Sequence, residues 1–241
     1  MPAPGQGGRY SAPDSFTYGW NKFRAKPGEL LVPFLIVLVV LIVVEVVVQV
    51  ILRATLLHTH DCTQTIFGTS VTTKCGPSFF VQLLGAALGG LFISLVSQAV
   101  GAGLIKNALN VADGGEASVG EIGTWATKGP VIVTALIVAV ATAIGTVLCY
   151  LPGIIVGFLL NWAMFYVVDE GMEPMDAIRA SVDFATSHLG DTIVFYLLGI
   201  VVLIVGAVLC LVGLLVAVPV LLIAAAFTFR VLNGRQVTPA T

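Results

Sequence analysis

The strongest constraint on the fold is the apolar segment LVPFLIVLVVLIVVEVVVQVIL, from Leu31 to Leu52, which carries a single charged residue, Glu45. A helix of about 20 apolar residues crosses a hydrocarbon core of roughly 30 Å. Val and Ile favour strands, but an open strand would leave its backbone polar groups unpaired in lipid. The segment therefore predicts a transmembrane helix. No cleavage site follows it, so we expect a retained signal anchor.

Composition extends this conclusion to the rest of the chain. Hydrophobic residues make up 58% of the sequence and charged residues 10%, whereas soluble domains carry about 25% charged residues. The formal net charge is −2 and no basic face accumulates, which excludes nucleic acid as an expected partner. We expect a multi-pass membrane protein.

Two long runs without any charged residue, 129–168 and 192–229, each exceed the length of one span and therefore predict two helices apiece. Pro and Gly mark the turns within them, at Tyr150–Gly153 and near Leu211–Gly213. The sequence thus predicts an all-α, polytopic transmembrane helix bundle whose six spans form three hairpins. The expected spans are approximately 31–52, 79–109, 131–149, 154–168, 192–210 and 214–229.

The domain boundaries follow from the same pattern. Residues 1–14, rich in Pro and Gly, predict a disordered cytoplasmic tail, because such a segment buries too little apolar surface to become ordered. Residues 15–234 form a single membrane domain, and residues 235–241 form a second cytoplasmic tail.

The two uncharged runs resemble copies of each other. The segment Ile144–Leu160 aligns with Val205–Leu222, and upstream Asp113–Ile122 aligns with Asp169–Ile178. We interpret the fold as an interfacial helix followed by a transmembrane hairpin, repeated two or three times along the chain.

Amphipathic interfacial helices are expected before the hairpins. Ser15–Lys26 carries several aromatic residues among polar ones, and Ser118 with Glu121 has the spacing of a capping box. The clearest case follows Pro174, where charged Arg179 lies between Asp176 and Asp183 on one side of a helix. The apolar stripe on its other side consists of Met175, Ile178, Val182, Ala185 and Leu189.

The distribution of positive charge predicts the orientation. With the N-terminus inside, nine Lys and Arg residues are cytoplasmic and only Arg53 and Lys74 are outside. We therefore expect a protein of the bacterial plasma membrane with both termini in the cytoplasm. The nine are Arg9, Lys22, Arg24, Lys26, Lys106, Lys128, Arg179, Arg230 and Arg235.

Glu45 is the polar residue that most needs an explanation. Glu45, Gln49 and Arg53 are spaced four residues apart and share one stripe of the first span. On a local interpretation, Arg53 extends toward water and Glu45 pairs along this stripe. The alternative is a proton or solute path, in which Glu45 faces a polar seam formed with Gln82, Gln98 and Asn161.

The cysteines and histidines leave several alternatives. Cys62 and Cys75 flank the only sizeable extracytoplasmic loop and predict a disulfide there. Cys149 and Cys210 are expected to be small core residues, with a second bridge as the alternative. The segment His58–Cys62, HTHDC, favours a plain polar loop over a metal site, and no metal or cofactor is expected.

Small residues at four-residue spacing predict close helix packing. Gly85 and Gly89 form one such step, and Ala135, Ala139 and Ala143 form another on the third span. The spacing does not distinguish packing within one chain from packing between chains.

A resemblance to a known family rests on four motifs, and it extends over roughly Tyr18 to Gly234. The sequence resembles a family of bacterial integral membrane proteins, especially the actinobacterial proline- and glycine-rich ones, and more distantly the membrane domain of some glycerophosphodiester phosphodiesterases. Family members often carry a basic residue where this chain has Glu170. The resemblance implies no catalytic residues, and the phosphodiesterase domain is absent. The motifs are LPGI (Leu151–Ile154), VVDEG (Val167–Gly171), DAIRAS (Asp176–Ser181) and GLLVAVPV (Gly213–Val220).

No converging acid, base and nucleophile predicts an enzyme; Ser187 and His188, for example, are only sequence neighbours. We expect a non-enzymatic scaffold or accessory subunit that binds membrane lipids and another membrane protein or a second copy of itself. The alternative is a small-solute or proton transporter or channel with a polar path near Glu45.

Overall fold

A computed structural model describes residues 10–56, 60–66, 69–148, 150–209 and 212–239. The chain forms an all-α bundle, which confirms the predicted fold class. Its helices are α1 (Ala12–Ala25), α2 (Pro27–Thr55), α3 (Phe79–Ala112), α4 (Val119–Ala126), α5 (Gly129–Leu148), α6 (Tyr150–Leu160), α7 (Ala163–Glu170), α8 (Pro174–Ser187), α9 (Leu189–Val208) and α10 (Val212–Leu232).

Within the described residues, five helical segments are long and apolar enough to cross a membrane, and there are six if the pair formed by α4 and α5, which is bent by 72°, is counted as one span. The protein is therefore a multi-pass membrane protein. The fourth predicted span differs from the expectation because it consists of two helices, α6 and α7, which are interrupted at Asn161 and Trp162. The five segments are Pro27–Thr55, Phe79–Ala112, Leu151–Glu170, Leu189–Val208 and Val212–Leu232.

The order of elements follows the predicted repeat. Each of α1, α4 and α8 is a short helix that precedes an apolar hairpin. The second and third hairpins close in a similar way, because glycines bring the two helices into contact near the turn. A Cβ atom at Gly145 would lie 3.0 Å from the Cα of Gly153, and one at Gly206 would lie 3.2 Å from the carbonyl carbon of Gly213.

The first hairpin contains an element that the sequence did not predict. Strands β1 (His60–Ile66) and β2 (Thr69–Cys75) form an antiparallel pair between α2 and α3. The register pairs Cys62 with Thr73 and Cys75 with His60, so the two cysteines lie on the same face of the ribbon. The side chain of Cys75 is outside the described residues, and the disulfide remains a prediction.

Helix α1 packs into the bundle, although an interfacial position was expected. A Cβ atom at Gly19 would lie 2.5 Å from the carbonyl oxygen of Val220, which shows how closely α1 approaches α10. Tyr18 is 1% exposed, and its ring lies 4.6 Å from that of Phe227. The small Gly19 beside large aromatic residues permits this close contact.

The ordered domain also begins earlier than predicted. Helix α1 starts at Ala12, which is buried, and the hydroxyl of Tyr10 lies 2.9 Å from Oγ1 of Thr228. Residues 10–14 therefore belong to the bundle, and the predicted disordered tail to residue 14 is too long.

The segment after α10 folds back onto α1 and the end of α3. The amide of Thr238 donates to the carbonyl of Ala112 at 2.9 Å, and the hydroxyl of Tyr18 donates to the carbonyl of Thr238 at 2.9 Å. The Nζ atom of Lys22 lies 3.0 Å from Oγ1 of Thr238. Residues 10 and 238 thus lie at one end of the bundle, which we call the terminal end.

Helix α8 is rotated relative to the prediction. It packs on the bundle through Ala177, Ser181 and Phe184, and the hydroxyl of Ser181 donates to the carbonyl of Leu159 at 2.6 Å. Small residues permit close helix contacts, so the packed face is displaced by about one residue, or roughly 100°, from the stripe of large residues. In that predicted stripe, Ala185 is buried, Ile178 and Val182 are half-buried, and Met175 and Leu189 are exposed.

Candidate functional site

Among the described residues, charged side chains converge at the terminal end around Arg230, in the last turn of α10. Its Nη1 atom lies 2.8 Å from Oδ2 of Asp169, and its Nη2 atom lies 2.6 Å from Oδ2 of Asp113. The side chain of Arg230 is 10% exposed and that of Asp169 is 5% exposed. One buried guanidinium therefore joins helices from all three hairpins. We call these residues, together with Glu170 and Arg235, the Arg230 cluster.

The local sequence explains why these side chains meet. Helices α3, α7 and α10 each end near a glycine in the left-handed region, with φ of 87° at Gly114, 65° at Gly171 and 72° at Gly234. Glycine adopts this conformation without a steric cost, so each helix stops there. Asp113 and Asp169 occupy equivalent places in the repeat, and both reach Arg230.

A second arginine completes the cluster. Arg235 contacts Asp169 at 2.5 Å through Nη1 and Glu170 at 2.6 Å through Nη2. The carboxylate of Glu170 is thus paired with the guanidinium of Arg235. The carboxylate of Asp169 accepts from two guanidinium groups, an arrangement that compensates a buried charge and ties the units together.

The predicted stripe on α2 makes a local contact. The amide of Gln49 donates to Oε1 of Glu45 at 3.0 Å, and both side chains are half-buried. Arg53 lies exposed one turn further along the helix. The amide of Gln82 donates to the carbonyl of Pro77 at 3.0 Å, at the start of α3. These contacts match the local interpretation of Glu45.

Gln98 and Asn161, by contrast, lie together in the wall of one cavity, which Glu45 and Gln82 do not line. They line a cavity of about 330 Å³ between α3, α5 and the break that separates α6 from α7. Ser94 and Thr142 also line it, and none of its lining residues is ionisable. The amide of Gln98 donates to the carbonyl of Ala135 at 3.3 Å. We call this space the polar cavity.

A second cavity, of about 280 Å³, also has Asn161 in its wall. It shares Ile105 and Asn161 with the polar cavity, and its walls include Phe165, Phe195 and Tyr196. We call it the aromatic cavity. The hydroxyl of Tyr196 is buried and has no hydrogen-bond partner among the described residues.

The break beside these cavities is held by an aromatic cluster. Trp162 is fully buried, and its ring lies 5.0 Å from that of Phe184 and 5.9 Å from that of Phe195. The Nε1 atom of Trp162 is also buried without a partner in the described part of the chain. Interrupted helices within a span are tolerated where the free backbone is buried in protein or lines a cavity.

The predicted small-residue faces pack within the chain. A Cβ atom at Gly89 would lie 2.6 Å from Cδ1 of Leu52 on α2, and Gly85 is also buried. Ala135 and Ala139 are buried, at 0% and 3% exposure. Ala143, by contrast, is exposed, so it does not share their burial within the chain.

Asn107 was not singled out from the sequence. It is 3% exposed, and its amide group forms two hydrogen bonds with the backbone of Ser118, at 3.0 and 3.1 Å. Ser118 caps α4 as expected, but Glu121 accepts a hydrogen bond from Nε1 of Trp125 at 2.9 Å. The capping box is therefore only half formed, because the indole competes for the carboxylate.

Some residues singled out from the sequence lie outside the described part of the chain. They are Cys149, Cys210 and His58, together with the side chain of His60. The expectations for a second bridge and for a plain polar loop stay predictions.

Comparison with known proteins gives relatives but no activity. The chain is 30% identical over 249 residues to the uncharacterized protein Rv2560 of Mycobacterium tuberculosis, covering 99% of this chain and 75% of that protein. It is equally similar, with the same coverage, to the uncharacterized protein Mb2590 of Mycobacterium bovis. No protein-family model matches the chain, and no solved structure matches it. The chain belongs to the same family as these uncharacterized mycobacterial proteins.

Proposed function

We propose that this protein is a non-enzymatic scaffold or accessory subunit of the bacterial plasma membrane, which binds another membrane protein or lipid. The observation that carries the proposal is the uneven burial of the spans. In the most apolar 18-residue stretch of α10, 56% of the residues are buried within the bundle, whereas in the corresponding stretches of α2 and α3 only 11% are buried. The first hairpin therefore presents apolar surface that a partner helix or lipid must cover.

The second contact surface is α8 at the membrane boundary. Met175 is exposed on α8 and Leu189 is exposed at the start of α9, while an ion pair at 3.5 Å joins Arg179 to Asp176 nearby. Large apolar side chains beside charged ones suit an interfacial position. This arrangement supports membrane contact by the rotated stripe.

The proposed orientation puts the terminal end in the cytoplasm, following the positive-inside rule. The likeness to actinobacterial proline- and glycine-rich membrane proteins agrees with this location. In a variant without native cysteines, a single cysteine at Thr72 should react with a membrane-impermeant maleimide on intact cells. One at Gln236 should react only after permeabilisation; the opposite pattern would overturn the orientation.

The disulfide between Cys62 and Cys75 belongs to the same proposal, because the extracytoplasmic side is oxidising. Peptide mapping without reductant should show these two cysteines linked. Free thiols on both in protein purified from membranes would contradict it.

Purification in mild detergent after crosslinking, followed by mass spectrometry, tests the scaffold role. We expect a stoichiometric companion that is lost when Val46 and Val50, both exposed on α2, are replaced by Trp. The matched control replaces Val201 and Val205 on α9, which are similarly exposed and equally spaced. A solitary, monodisperse protein with both pairs intact would contradict the scaffold.

The transporter remains a second candidate, favoured by the polar cavity beside a broken helix. Its test is flux of solute or protons in reconstituted vesicles. Flux that is lost in Glu45→Ala or Asn161→Leu but kept in Val201→Ala would favour the transporter over the scaffold.

A further inference from the structure

Two cavities share Asn161 in their walls. Both are lined mainly by apolar surface, but the polar cavity also has the hydrogen-bonding side chains of Ser94, Gln98 and Thr142, whereas the aromatic cavity has Phe165, Phe195 and Tyr196. We propose that the two together hold one molecule of an uncharged, hydroxyl-bearing lipid of the mono- or diacylglycerol type. Its head would lie in the polar cavity and an acyl chain in the aromatic cavity. This inference goes beyond the scaffold role and does not depend on it.

The first argument is the side chain of Asn161. It is exposed at the break between α6 and α7, and it forms no hydrogen bond with any described residue. An amide without a partner in hydrocarbon carries a large desolvation penalty. A hydroxyl or ester group in the polar cavity would remove that penalty.

The second argument is the hydroxyl of Tyr196, which is independent of the first. It is buried, has no partner in the described part of the chain, and belongs to a side chain that lines the aromatic cavity. Buried hydroxyls in proteins are almost always hydrogen-bonded, so an unpaired one points to a bound molecule. Tyr196 and Asn161 would bind the same lipid where the two cavities meet.

The depth of the site argues for an uncharged head. Asn161 precedes the charged Asp169 by eight residues, and Gln98 precedes Lys106 by eight. Each interval corresponds to about 12 Å along a helix, so the cavity lies deeper in the membrane than these charged groups. A phosphate at this depth would meet only neutral partners and carry a severe penalty, whereas a glycerol hydroxyl would not.

Water is the competing occupant of the polar cavity. At roughly 30 Å³ per molecule, about ten waters would fill its volume. Water would not fill the aromatic cavity, which is lined mainly by apolar side chains, so the two occupants predict different labelling patterns.

The test uses the full-length protein in lipid nanodiscs with a photoreactive, clickable diacylglycerol, and a phosphatidylglycerol with the same photoreactive chain for comparison. We expect the diacylglycerol to crosslink to α7 and α9 near the cavity, and unlabelled diacylglycerol to compete. Equal crosslinking of these positions by the phosphatidylglycerol would overturn the proposal, and so would labelling spread evenly over α2. Labelling by neither lipid would also overturn it and would assign the site to water.

Two glycines of α3 give a matched pair of variants. Neither Gly101 nor Gly90 has any neighbouring atom within 4 Å of an added Cβ, but only Gly101 lines the polar cavity. Gly101→Leu should lower site-specific crosslinking about tenfold while the protein still folds, and Gly90→Leu should leave it unchanged. Equal crosslinking in the two variants would overturn the proposal.

Tyr196→Phe supplies an independent measurement. It removes one hydroxyl that has no protein partner, so the melting temperature without added lipid should not fall. Diacylglycerol affinity should weaken about fivefold, as expected for one lost hydrogen bond. Unchanged affinity in Tyr196→Phe would contradict the assignment of this hydroxyl to the ligand.

Discussion

Arg230 and Arg53 both lie in the last turn of an apolar helix, yet their surroundings differ. Arg230 is buried at the terminal end and contacts carboxylates 61 and 117 residues away in the chain. Arg53 is exposed at the end of α2, where the hydrogen bond beside it joins Gln49 to Glu45 four residues apart. The comparison shows that the buried Arg230 ties distant segments together, whereas the exposed Arg53 lies beside a contact that stays within one helix.

Replacing each of the two arginines should give the largest difference in stability between the two regions. Arg230→Met removes the guanidinium from Asp113 and leaves Asp169 with Arg235 alone, so we expect the free energy of unfolding to fall by about 3 kcal/mol. Arg53→Met should change it by less than about 0.5 kcal/mol, since an exposed surface residue contributes little. Thermal unfolding of both variants in one detergent measures the difference. Equal losses would mean that the Arg230 cluster does not hold the hairpins together.

Glycine substitutions should separate rigid from adjustable contacts. In Gly19→Ala the new methyl would meet the backbone oxygen of Val220, so we expect a loss of about 1–3 kcal/mol. In Gly89→Ala the methyl would meet only the flexible end of Leu52, and the gain of helix propensity, about 1 kcal/mol, offsets the strain. Melting temperatures check the order. A larger loss in Gly89→Ala would show that the first hairpin is the more tightly packed region.

Sequence reasoning predicted those parts of the fold that lipid dictates. The apolar spans and the repeated hairpins follow from length and charge, because a helix must satisfy its own backbone in hydrocarbon. The predicted turn residues Tyr150–Gly153 instead lie in the first turn of α6, and Val212 and Gly213 begin α10. The break at Asn161 and Trp162 was missed, since it depends on an aromatic cluster assembled from α7, α8, α9 and α10.

The candidate sites were predicted only where neighbours in sequence are also neighbours in space. The contact from Gln49 to Glu45 follows from four-residue spacing. Asp113 and Asp169 were aligned as repeat equivalents, but nothing in the spacing indicates that Arg230 lies between them. Helix α8 shows the same limit, because periodicity finds the large apolar residues while Ala177 and Ser181 make the packed face.

The outer part of the Arg230 cluster should be weaker than its centre. The side chains of Arg235 and Glu170 are 40% and 20% exposed, so we expect a double-mutant coupling energy of about 0.5–1 kcal/mol from Glu170→Gln, Arg235→Gln and the double variant. The coupling should decrease in 1 M salt. The exposed pair formed by Asp176 and Arg179 is the control, with an expected coupling below about 0.5 kcal/mol. Equal coupling in both pairs would remove the distinction between them.

Glu45→Gln should have the smallest effect on stability, and it tests the local contact on α2. The substituted amide keeps an oxygen that accepts from Gln49, and it removes a carboxylate from a half-buried stripe of an apolar span, so the free energy of unfolding should stay the same or rise by up to about 1 kcal/mol. Companion binding, measured by the crosslinking assay, should also be unchanged, because the local contact serves only its own helix. Glu45→Leu tests the same point without a hydrogen bond and should still fold. If either variant folds normally but loses flux or its companion, then Glu45 has a role other than the contact with Gln49. The polar path through this stripe would then be the better explanation for a carboxylate at this position.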